Sequence, residues 1–255
     1  MKINLIEYFE NTIKKYADKV AVWDKERYAT FAELENYSKS LAWKIFQDNE
    51  IFKKPIAVYL NKSIESVYAD MAIIYSGNFY MNLDVKTPAE RIKNILELIQ
   101  PAAIITNNQF EKNIKNVIPA GIDMINLDSV IWDDIKCDDK TLLQRLETLI
   151  DTDPLCIINT SGSTGTPKGV VLNHRSFFDF TEWAQEEFGF TDHEVIGSLS
   201  PLVFDIYSYE LCLLMSRGST MVLIPDNLSA FPVTILKLLE EKKVSLGTDH
   251  YGQYR

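Results

Sequence analysis

The chain has 255 residues, of which 46% are hydrophobic and 24% are charged, a composition typical of a globular protein with one large or two ordinary domains. Its formal net charge is −10, which is the wrong sign for a protein whose main partner is DNA or RNA. The composition therefore predicts no nucleic-acid partner.

The N-terminal stretch MKINLIEYFENTIKKY places apolar side chains three or four positions apart, with charged residues between them. These side chains are Ile3, Ile6, Phe9, Ile13 and Tyr16. The spacing predicts an amphipathic helix and not a secretory signal peptide. The longest uncharged runs, such as residues 71–83, are shorter than the ~20 residues needed to cross a bilayer. We therefore expect no membrane span.

Short β-rich runs then alternate with helical patterns along the chain. The runs are VAVW from Val20, IAVYL from Ile56, AAIIT from Ala102, MINL from Met124, CIINT from Cys156, VIGSL from Val195 and TMVLI from Thr220. This alternation predicts an α/β protein with largely parallel sheets and crossover helices.

Several local patterns predict where helices begin and end. The sequences TFAE from Thr30 and TPAE from Thr87 are both capping-box patterns, and the second has a proline at the predicted first helical position. Gly77, Gly189 and Gly218 are predicted helix stops.

Residues 128–153 carry eight acidic and three basic residues, a net charge of −5. We interpret this segment as a connection between a first α/β subdomain (1–127) and a second one (154–246), followed by an atypical tail (247–255). An ordinary solvated acidic helix and loop is the alternative interpretation.

The cysteine and histidine pattern predicts neither a disulfide framework nor a metal site. Cys137, Cys156 and Cys212 are odd in number and form no CxxC pair, which fits a reducing cytoplasm. The three histidines, at positions 174, 193 and 250, have no spacing typical of metal ligands.

The stretch INTSGSTGTPKGVVLNH, residues 158–174, contains five hydroxyl side chains, three glycines and one lysine. Hydroxyl and backbone N–H donors without a nearby carboxylate favour phosphate binding. A flexible Gly/Ser linker is the alternative, but β-rich runs flank the stretch on both sides. It matches neither the Walker loop nor the GxGxxG pattern.

Residues 160–169, TSGSTGTPKG, resemble the signature loop of the adenylate-forming (AMP-binding) enzymes. This superfamily includes adenylation domains of nonribosomal peptide synthetases, D-alanine–carrier-protein ligases, acyl-CoA synthetases and luciferases. The similarity in organisation runs from residue 1 to about residue 246. It implies the N-terminal part of that fold, with two α/β subdomains and the C-terminal elements missing.

In this superfamily the loop holds the β- and γ-phosphates of ATP. The resemblance therefore implies a catalytic role for Lys168. It also implies nucleotide-binding roles for the whole matching set, Thr160, Ser161, Gly162, Ser163, Thr164, Gly165, Thr166, Lys168 and Gly169. Positioning and charge stabilisation are the main contributions that a protein makes to such phosphorus chemistry.

A second stretch, PLVFDIYSYEL (residues 201–211), resembles the amino-acid-activating members, in which an aromatic–Asp pair precedes an acidic residue. Phe204, Asp205 and Glu210 are the matching residues here. In those members the aspartate binds the α-ammonium of the substrate. The resemblance thus implies an amino-acid substrate, with Asp205, Phe204 and Tyr209 as substrate-binding residues. Tyr207 stands where the family usually has serine.

The residues around Asp205 give a physical reason for the same role. A carboxylate among Leu202, Val203 and Ile206 is costly unless a cation pairs with it, and the substrate would supply that cation. The alternative is that Asp205 caps a helix that begins at Ile206. FTEWAQEEFG, residues 180–189, resembles the D-alanine ligases, so D-alanine is the first candidate substrate.

The family's Tyr-Gly-Pro-Thr-Glu stretch, ribose-binding aspartate, hinge and C-terminal lysine have no counterpart in the sequence. We therefore expect the Mg²⁺ ligand outside this chain, and we expect the chain to be an incomplete N-terminal portion. An uncovered sheet edge would then favour self-association.

The function that the resemblance implies is ATP-dependent activation of an amino acid as its adenylate, with release of pyrophosphate. Transfer to the phosphopantetheine thiol of a carrier protein would follow. Two alternatives stay open, a catalytically incomplete module that binds ATP and an amino acid, and activation of another carboxylic acid.

Overall fold

The computed structural model describes residues 4–49, 51–161, 167–249 and 252–254. The helices in these ranges are α1 (Leu5–Tyr16), α2 (Phe31–Asn49), α3 (Ile64–Tyr75), α4 (Ala89–Ile99), α5 (Asn108–Ile114), α6 (Asp139–Leu146), α7 (His174–Phe188), α8 (Asp205–Arg217) and α9 (Pro232–Glu241). The strands are β1 (Val20–Asp24), β2 (Arg27–Thr30), β3 (Pro55–Val58), β4 (Phe79–Asn82), β5 (Ala103–Thr106), β6 (Asp123–Asn126), β7 (Pro154–Ser161), β8 (Pro167–Asn173), β9 (Val195–Ser198), β10 (Thr220–Leu223), β11 (Leu246–Asp249) and β12 (Gly252–Tyr254). Each of the β-rich runs predicted from the sequence overlaps one of these strands.

The described strands form two six-stranded sheets. The first has the order β12-β11-β9-β10-β1-β2, and the second has the order β6-β5-β3-β4-β7-β8. Neighbouring strands are parallel, apart from the antiparallel pairs β11–β12 and β1–β2 in the first sheet and β7–β8 in the second. The prediction of an α/β fold with largely parallel sheets is confirmed.

Each sheet takes strands from both halves of the chain. In the first sheet Val22 of β1 pairs with Met221 of β10, and in the second Tyr80 of β4 pairs with Cys156 of β7. The sheets therefore do not divide at the acidic segment 128–153. The domain boundaries drawn from the sequence stay a prediction. They do not coincide with the division of the strands into two sheets.

The largest core lies between the two sheets. Helices α1, α2, α3 and α8 fill this space, and their apolar side chains meet those of β1 and β10 on one side and of β3, β5 and β7 on the other. A second cluster packs α4 and α5 against the opposite face of the second sheet. A third joins α7 and α8 to β9 and β11. Helix α8 is thus buried on several sides.

The amphipathic N-terminal helix is confirmed as α1. Ile6, Phe9 and Ile13 are buried as the spacing predicts, while Ile3 lies outside the described residues. Asn4 is the N-cap, and its side chain accepts a hydrogen bond from the backbone N–H of Glu7 at 3.1 Å. Among the described helices none is both long and apolar enough to cross a membrane.

The capping-box pattern from Thr30 is confirmed, because Thr30 N donates to the Glu33 carboxylate at 2.7 Å and Glu33 N donates to Thr30 Oγ1 at 3.2 Å. The pattern from Thr87 is wrong. Pro88 itself is the N-cap of α4 and no side chain caps the helix, since Thr87 N donates to the carbonyl of Asp84 in a preceding turn.

The predicted helix stops are also confirmed. Gly189 and Gly218 have φ of +64° and +74° at the ends of α7 and α8, and Gly77 has φ of +74° just after α3. The tail predicted as atypical contributes backbone to the first sheet, where Gly247 of β11 pairs with Tyr254 of β12.

Candidate nucleotide and amino-acid site

The predicted phosphate loop is the tip of a β-hairpin. Strands β7 and β8 are antiparallel, and their register pairs Thr160 with Lys168 and Asn159 with Gly169. This hairpin lies at one edge of the second sheet. Five predicted nucleotide-binding residues lie outside the described residues, namely Gly162, Ser163, Thr164, Gly165 and Thr166.

The structure brings Thr160 and Lys168 together across the hairpin. The hydroxyl Oγ1 of Thr160 donates to the backbone carbonyl of Lys168 at 3.4 Å, and both residues are exposed. Ser161 is the last residue of β7 and pairs with Pro167, so its backbone lies at the same end. A hydroxyl, an ammonium and the end of the hairpin thus face solvent together, where an anionic ligand could reach them.

Gly169 has a packing reason to be glycine that is independent of any ligand. A Cβ atom built at this position would lie 2.7 Å from Ile99 Cδ1 of α4 and 3.0 Å from Ile157 Cγ2 of β7. Helix α4 therefore packs closely against the hairpin at this point. The nucleotide-binding role predicted for Gly169 stays a prediction.

Asp205 lies at the start of α8 and is exposed. Its Oδ1 accepts a hydrogen bond from the backbone N–H of Ile206 at 3.0 Å, at the positive end of the helix. The expected desolvated carboxylate is therefore wrong for the described structure. Leu202 is buried, but Val203 and Ile206 are only half-buried and do not enclose Asp205. The alternative interpretation, in which Asp205 is the N-cap of the helix, is also not observed, because Phe204 is the N-cap.

Tyr209 lies one turn after Asp205 and is 4% exposed. Its ring meets that of Phe180 edge-on, with the centroids 4.8 Å apart, and Phe180 in turn lies beside Trp183 of the same helix, α7. Phe180 is 44% exposed and Trp183 is 51% exposed. Together the three rings form an aromatic wall beside the start of α8. Tyr209 was predicted from the sequence as a substrate-binding residue, whereas Phe180 and Trp183 were indicated only by the resemblance of residues 180–189 to the D-alanine ligases.

The two candidate regions meet through Cys156 of β7. Burial raises the pKa of its thiol to about 12, and the negative charges of Asp70 and Asp205 add to that rise. Its Sγ lies 3.8 Å from Ser208 Oγ on α8. The strand that leads to Thr160 therefore lies directly beneath the first turns of the helix that begins at Asp205.

The sequence profile of AMP-binding enzymes matches residues 9–248. The chain belongs to the AMP-binding enzyme family. It is 26% identical over 218 residues to tyrocidine synthase 1 of Brevibacillus parabrevis, covering 86% of the chain and 20% of that protein. It is 26% identical over 242 residues to zwittermicin A synthase ZmaJ of Bacillus cereus, covering 93% of the chain and 44% of that protein. The chain thus spans less than half the length of these relatives.

Solved structures, among them the nonribosomal peptide synthetase FmoA3, share the fold. The AMPPNP-bound form of FmoA3 superposes with a TM-score of 0.80 at 22% identity, covering 95% of the chain and 25% of FmoA3. The N-terminal subdomain of Klebsiella oxytoca NpsA, in complex with 3-hydroxybenzoyl-AMSN, gives a TM-score of 0.77 at 19% identity, covering 96% of the chain and 59% of NpsA. The predicted fold, the N-terminal part of the adenylate-forming architecture, is confirmed.

Beneath α8 this AMP-binding enzyme buries a carboxyl group that the sequence did not indicate. Asp70 of α3 is fully buried, and its Oδ2 accepts hydrogen bonds from Asn82 Nδ2 at 3.0 Å and from the Tyr207 hydroxyl at 2.8 Å. Burial raises the pKa of Asp70 to about 7, and both hydrogen bonds oppose this rise. The unusual Tyr207 thereby has a structural role, because its hydroxyl joins α8 to α3.

Glu210, the acidic residue of the second motif, also faces inward. It is fully buried, and Ser198 Oγ at the end of β9 donates to its Oε2 at 2.5 Å. Glu210 therefore ties α8 to the first sheet and does not face the solvent side that Asp205 occupies.

The described residues contain no group of three or more His, Cys, Asp or Glu side chains that could hold a metal ion. Of the histidines, His174 is buried at the start of α7, and its Nδ1 accepts a hydrogen bond from Leu5 N at 3.3 Å. His193 is exposed, and His250 lies outside the described residues. The expectation that the Mg²⁺ ligand lies outside this chain stays a prediction.

Proposed function

We propose that this chain binds ATP and an amino acid and supports formation of an aminoacyl adenylate. A carboxylate oxygen of the amino acid attacks the α-phosphorus of ATP, and the bond to the pyrophosphate oxygen breaks. Pyrophosphate leaves, and the adenylate retains the activated acyl group. The adenylate would then pass its acyl group to the phosphopantetheine thiol of a carrier protein.

The observation that carries this proposal is the position of Asp205. Its exposed carboxylate stands at the start of α8, above the strand that ends in the hairpin, and the aromatic wall lies one turn away. An α-ammonium would pair with this carboxylate, while Phe204 and Tyr209 would contact the rest of the amino acid. A fatty acid has no cation to offer, which makes it the poorer fit.

The nucleotide would lie at the hairpin. Thr160, Ser161 and the ammonium of Lys168 supply donors for the β- and γ-phosphates, together with the loop residues 162–166. Lys168 would also stabilise the negative charge that develops as pyrophosphate departs. The FmoA3 structure with AMPPNP and its form with α-methyl-L-serine-AMP support a nucleotide site in this fold.

Partners and location follow from the same proposal. A carrier protein is the expected acceptor because the similar proteins include the dimodular nonribosomal peptide synthase of Bacillus subtilis. The three cysteines are free thiols, which suits the cytoplasm. The magnesium ligand and the C-terminal lysine of the family have no counterpart in this sequence, so we propose that the 255 residues alone bind substrates without completing the reaction.

Amino-acid-dependent exchange of pyrophosphate into ATP tests the proposal. It would be measured across all amino acids, including D-alanine, and across matched acids that lack the amine. The chain would be assayed alone and with the C-terminal part of a related adenylation domain added in trans. We expect exchange only in the second arrangement and only with an amino acid. Exchange with amine-free acids would favour the acyl-CoA-synthetase alternative, and robust exchange by the chain alone would overturn the proposed incompleteness.

A further inference from the structure

The segment between β9 and α8, residues 199–204, determines where Asp205 lies. Three consecutive backbone carbonyls at its start converge on one side chain. Nζ of Lys62 donates to the carbonyl oxygens of Ser198 at 3.0 Å, Leu199 at 3.3 Å and Ser200 at 3.0 Å. An ammonium has three N–H donors, so this set of contacts can use all of them.

Lys62 reaches this segment from the other sheet. It follows β3 of the second sheet and directly precedes Ser63, the N-cap of α3, whereas β9 belongs to the first sheet. Its side chain is only 3% exposed. The contact therefore fixes the segment before α8 relative to both sheets.

The charge of Lys62 is balanced locally. Asp226, just after β10, lies 3.5 Å from its Nζ, and the buried carboxylate of Glu210 also acts on it. Burial lowers the pKa of Lys62, while these two carboxylates oppose that change. Since Glu210 also accepts the hydroxyl of Ser198, the start of the segment is held from two sides.

A second buried lysine makes a different kind of contact. Lys39 of α2 is 8% exposed, and its Nζ pairs with the carboxylates of Glu10 at 2.9 Å and Glu35 at 2.5 Å. Lys39 thus links helices through side chains. Lys62 instead holds the backbone of a loop, which restricts the path of the chain itself.

We propose that Lys62 is a positioning residue for the amino-acid site, because it holds the backbone that presents Phe204 and Asp205. This inference rests on the proposed function for the identity of the ligand. It adds that the affinity for the aminoacyl group depends on a lysine that does not touch the substrate.

The test compares the parent chain with Lys62→Met, Lys62→Arg and the matched control Lys39→Met. Hydrogen exchange of the backbone amides of residues 199–200 and 202–206 reports the order of the segment. Calorimetry gives the Kd for ATP and for an aminoacyl sulfamoyl adenosine, made with the amino acid that the parent binds best. Should Lys62→Met fail to fold, Lys62→Gln, whose amide can still donate to two carbonyls, takes its place.

We expect Lys62→Met to speed exchange in the segment and to weaken binding of the aminoacyl analogue about ten- to a hundredfold, with ATP affinity unchanged. Lys62→Arg should restore most of both properties, and Lys39→Met should change neither selectively. Unchanged exchange in the segment, or an equal loss of affinity for both ligands, would overturn the proposal. If the parent does not prefer aminoacyl analogues over amine-free ones, the proposed function fails, while the exchange data still decide whether Lys62 orders the segment.

Discussion

The hairpin β7–β8 and the start of α8 both carry residues that motifs in the sequence assign to ligands, but they are supported differently. Thr160 and Lys168 are exposed on a two-stranded hairpin at a sheet edge, where the Thr160 hydroxyl donates to the Lys168 carbonyl at 3.4 Å. Asp205 is also exposed, yet Tyr207 and Glu210 of the same helix are buried and hydrogen-bonded to other elements.

The difference shows how one site can combine adaptable and fixed parts. Phosphates carry several equivalent oxygens and can be held by donors on a hairpin tip. An α-ammonium is a single cation, so its carboxylate partner must be placed accurately to distinguish one acid from another. We therefore expect substitutions at the hairpin tip to change ligand affinity, and substitutions beneath α8 to change stability and its dependence on pH.

The largest expected effect is at Asp70. Its pKa is raised from 3.8 to about 7, so its neutral form stabilises the folded state fully below its unfolded pKa. That stabilisation, about 4 kcal/mol, is lost as the pH rises through the folded pKa. Asp70→Asn should remove this decline in the free energy of unfolding, measured by urea denaturation at a series of pH values.

Tyr207→Phe sharpens the same test. The Tyr207 hydroxyl favours the charged form of Asp70, so its removal should move the decline to higher pH. A profile that is identical in the parent, Asp70→Asn and Tyr207→Phe would show that Asp70 is not a buried titrating group.

His174, at the base of the hairpin, should change the free energy of unfolding with pH in the opposite direction to Asp70. Burial lowers the pKa of His174 from 6.5 to about 4, while the negative charges of Asp153 and Asp151 oppose this change. The neutral ring accepts a hydrogen bond from Leu5 N. Its contribution, about 3 kcal/mol, is present above the unfolded pKa and is lost as the pH falls through the folded one. His174→Asn should remove this acid-side loss.

The two slopes oppose each other between about pH 4 and pH 7, so the parent should show a flatter profile than either single variant. The slope and not the absolute stability is the quantity to compare, since His174→Asn also leaves a small cavity. A His174→Asn variant with the parent's profile would contradict this account.

At the hairpin tip, changing Thr160 and Ser161 together to alanine should weaken ATP binding about ten- to a hundredfold, because hydrogen bonds to charged groups are lost. Thr160 is exposed, so we expect the free energy of unfolding to stay within about 0.5 kcal/mol of the parent value. Calorimetric titration with ATP and urea denaturation measure the two quantities. Equal ATP affinity in the double variant and in a parent that binds ATP would remove the phosphate assignment.

The sequence predicted the features that depend on neighbouring residues. The β-rich runs, the amphipathic α1 and the capping box at Thr30 all result from local spacing, and the motifs located both candidate regions. Strand β2 was missed because Arg27–Thr30 is short and half-exposed, and β4 because Phe79–Asn82 lies inside a longer uncharged run. The capping box predicted at Thr87 does not form, and the backbone N–H of Thr87 donates instead to the carbonyl of Asp84 in a turn.

The buried contacts that hold the residues of the candidate site in place could not be predicted from local sequence patterns. Asp70 and Tyr207 are 137 residues apart, and Lys62 lies 136 residues from Ser198, so no local pattern links them. The exposure of Asp205 was predicted wrongly because apolar neighbours in sequence need not surround a residue in space. The chain turns at the start of the helix, and Val203 and Ile206 are only half-buried there.

The most direct test of the account compares two ligands that differ only in the α-amino group, an aminoacyl sulfamoyl adenosine and its amine-free counterpart. Their Kd values would be measured for the parent and for Asp205→Ala. We expect the parent to bind the amino form about ten- to a hundredfold more tightly, the value of a hydrogen-bonded charge, and Asp205→Ala to bind both alike. Equal binding by the parent, or a preference that survives in Asp205→Ala, would contradict the claim that Asp205 selects an amino acid.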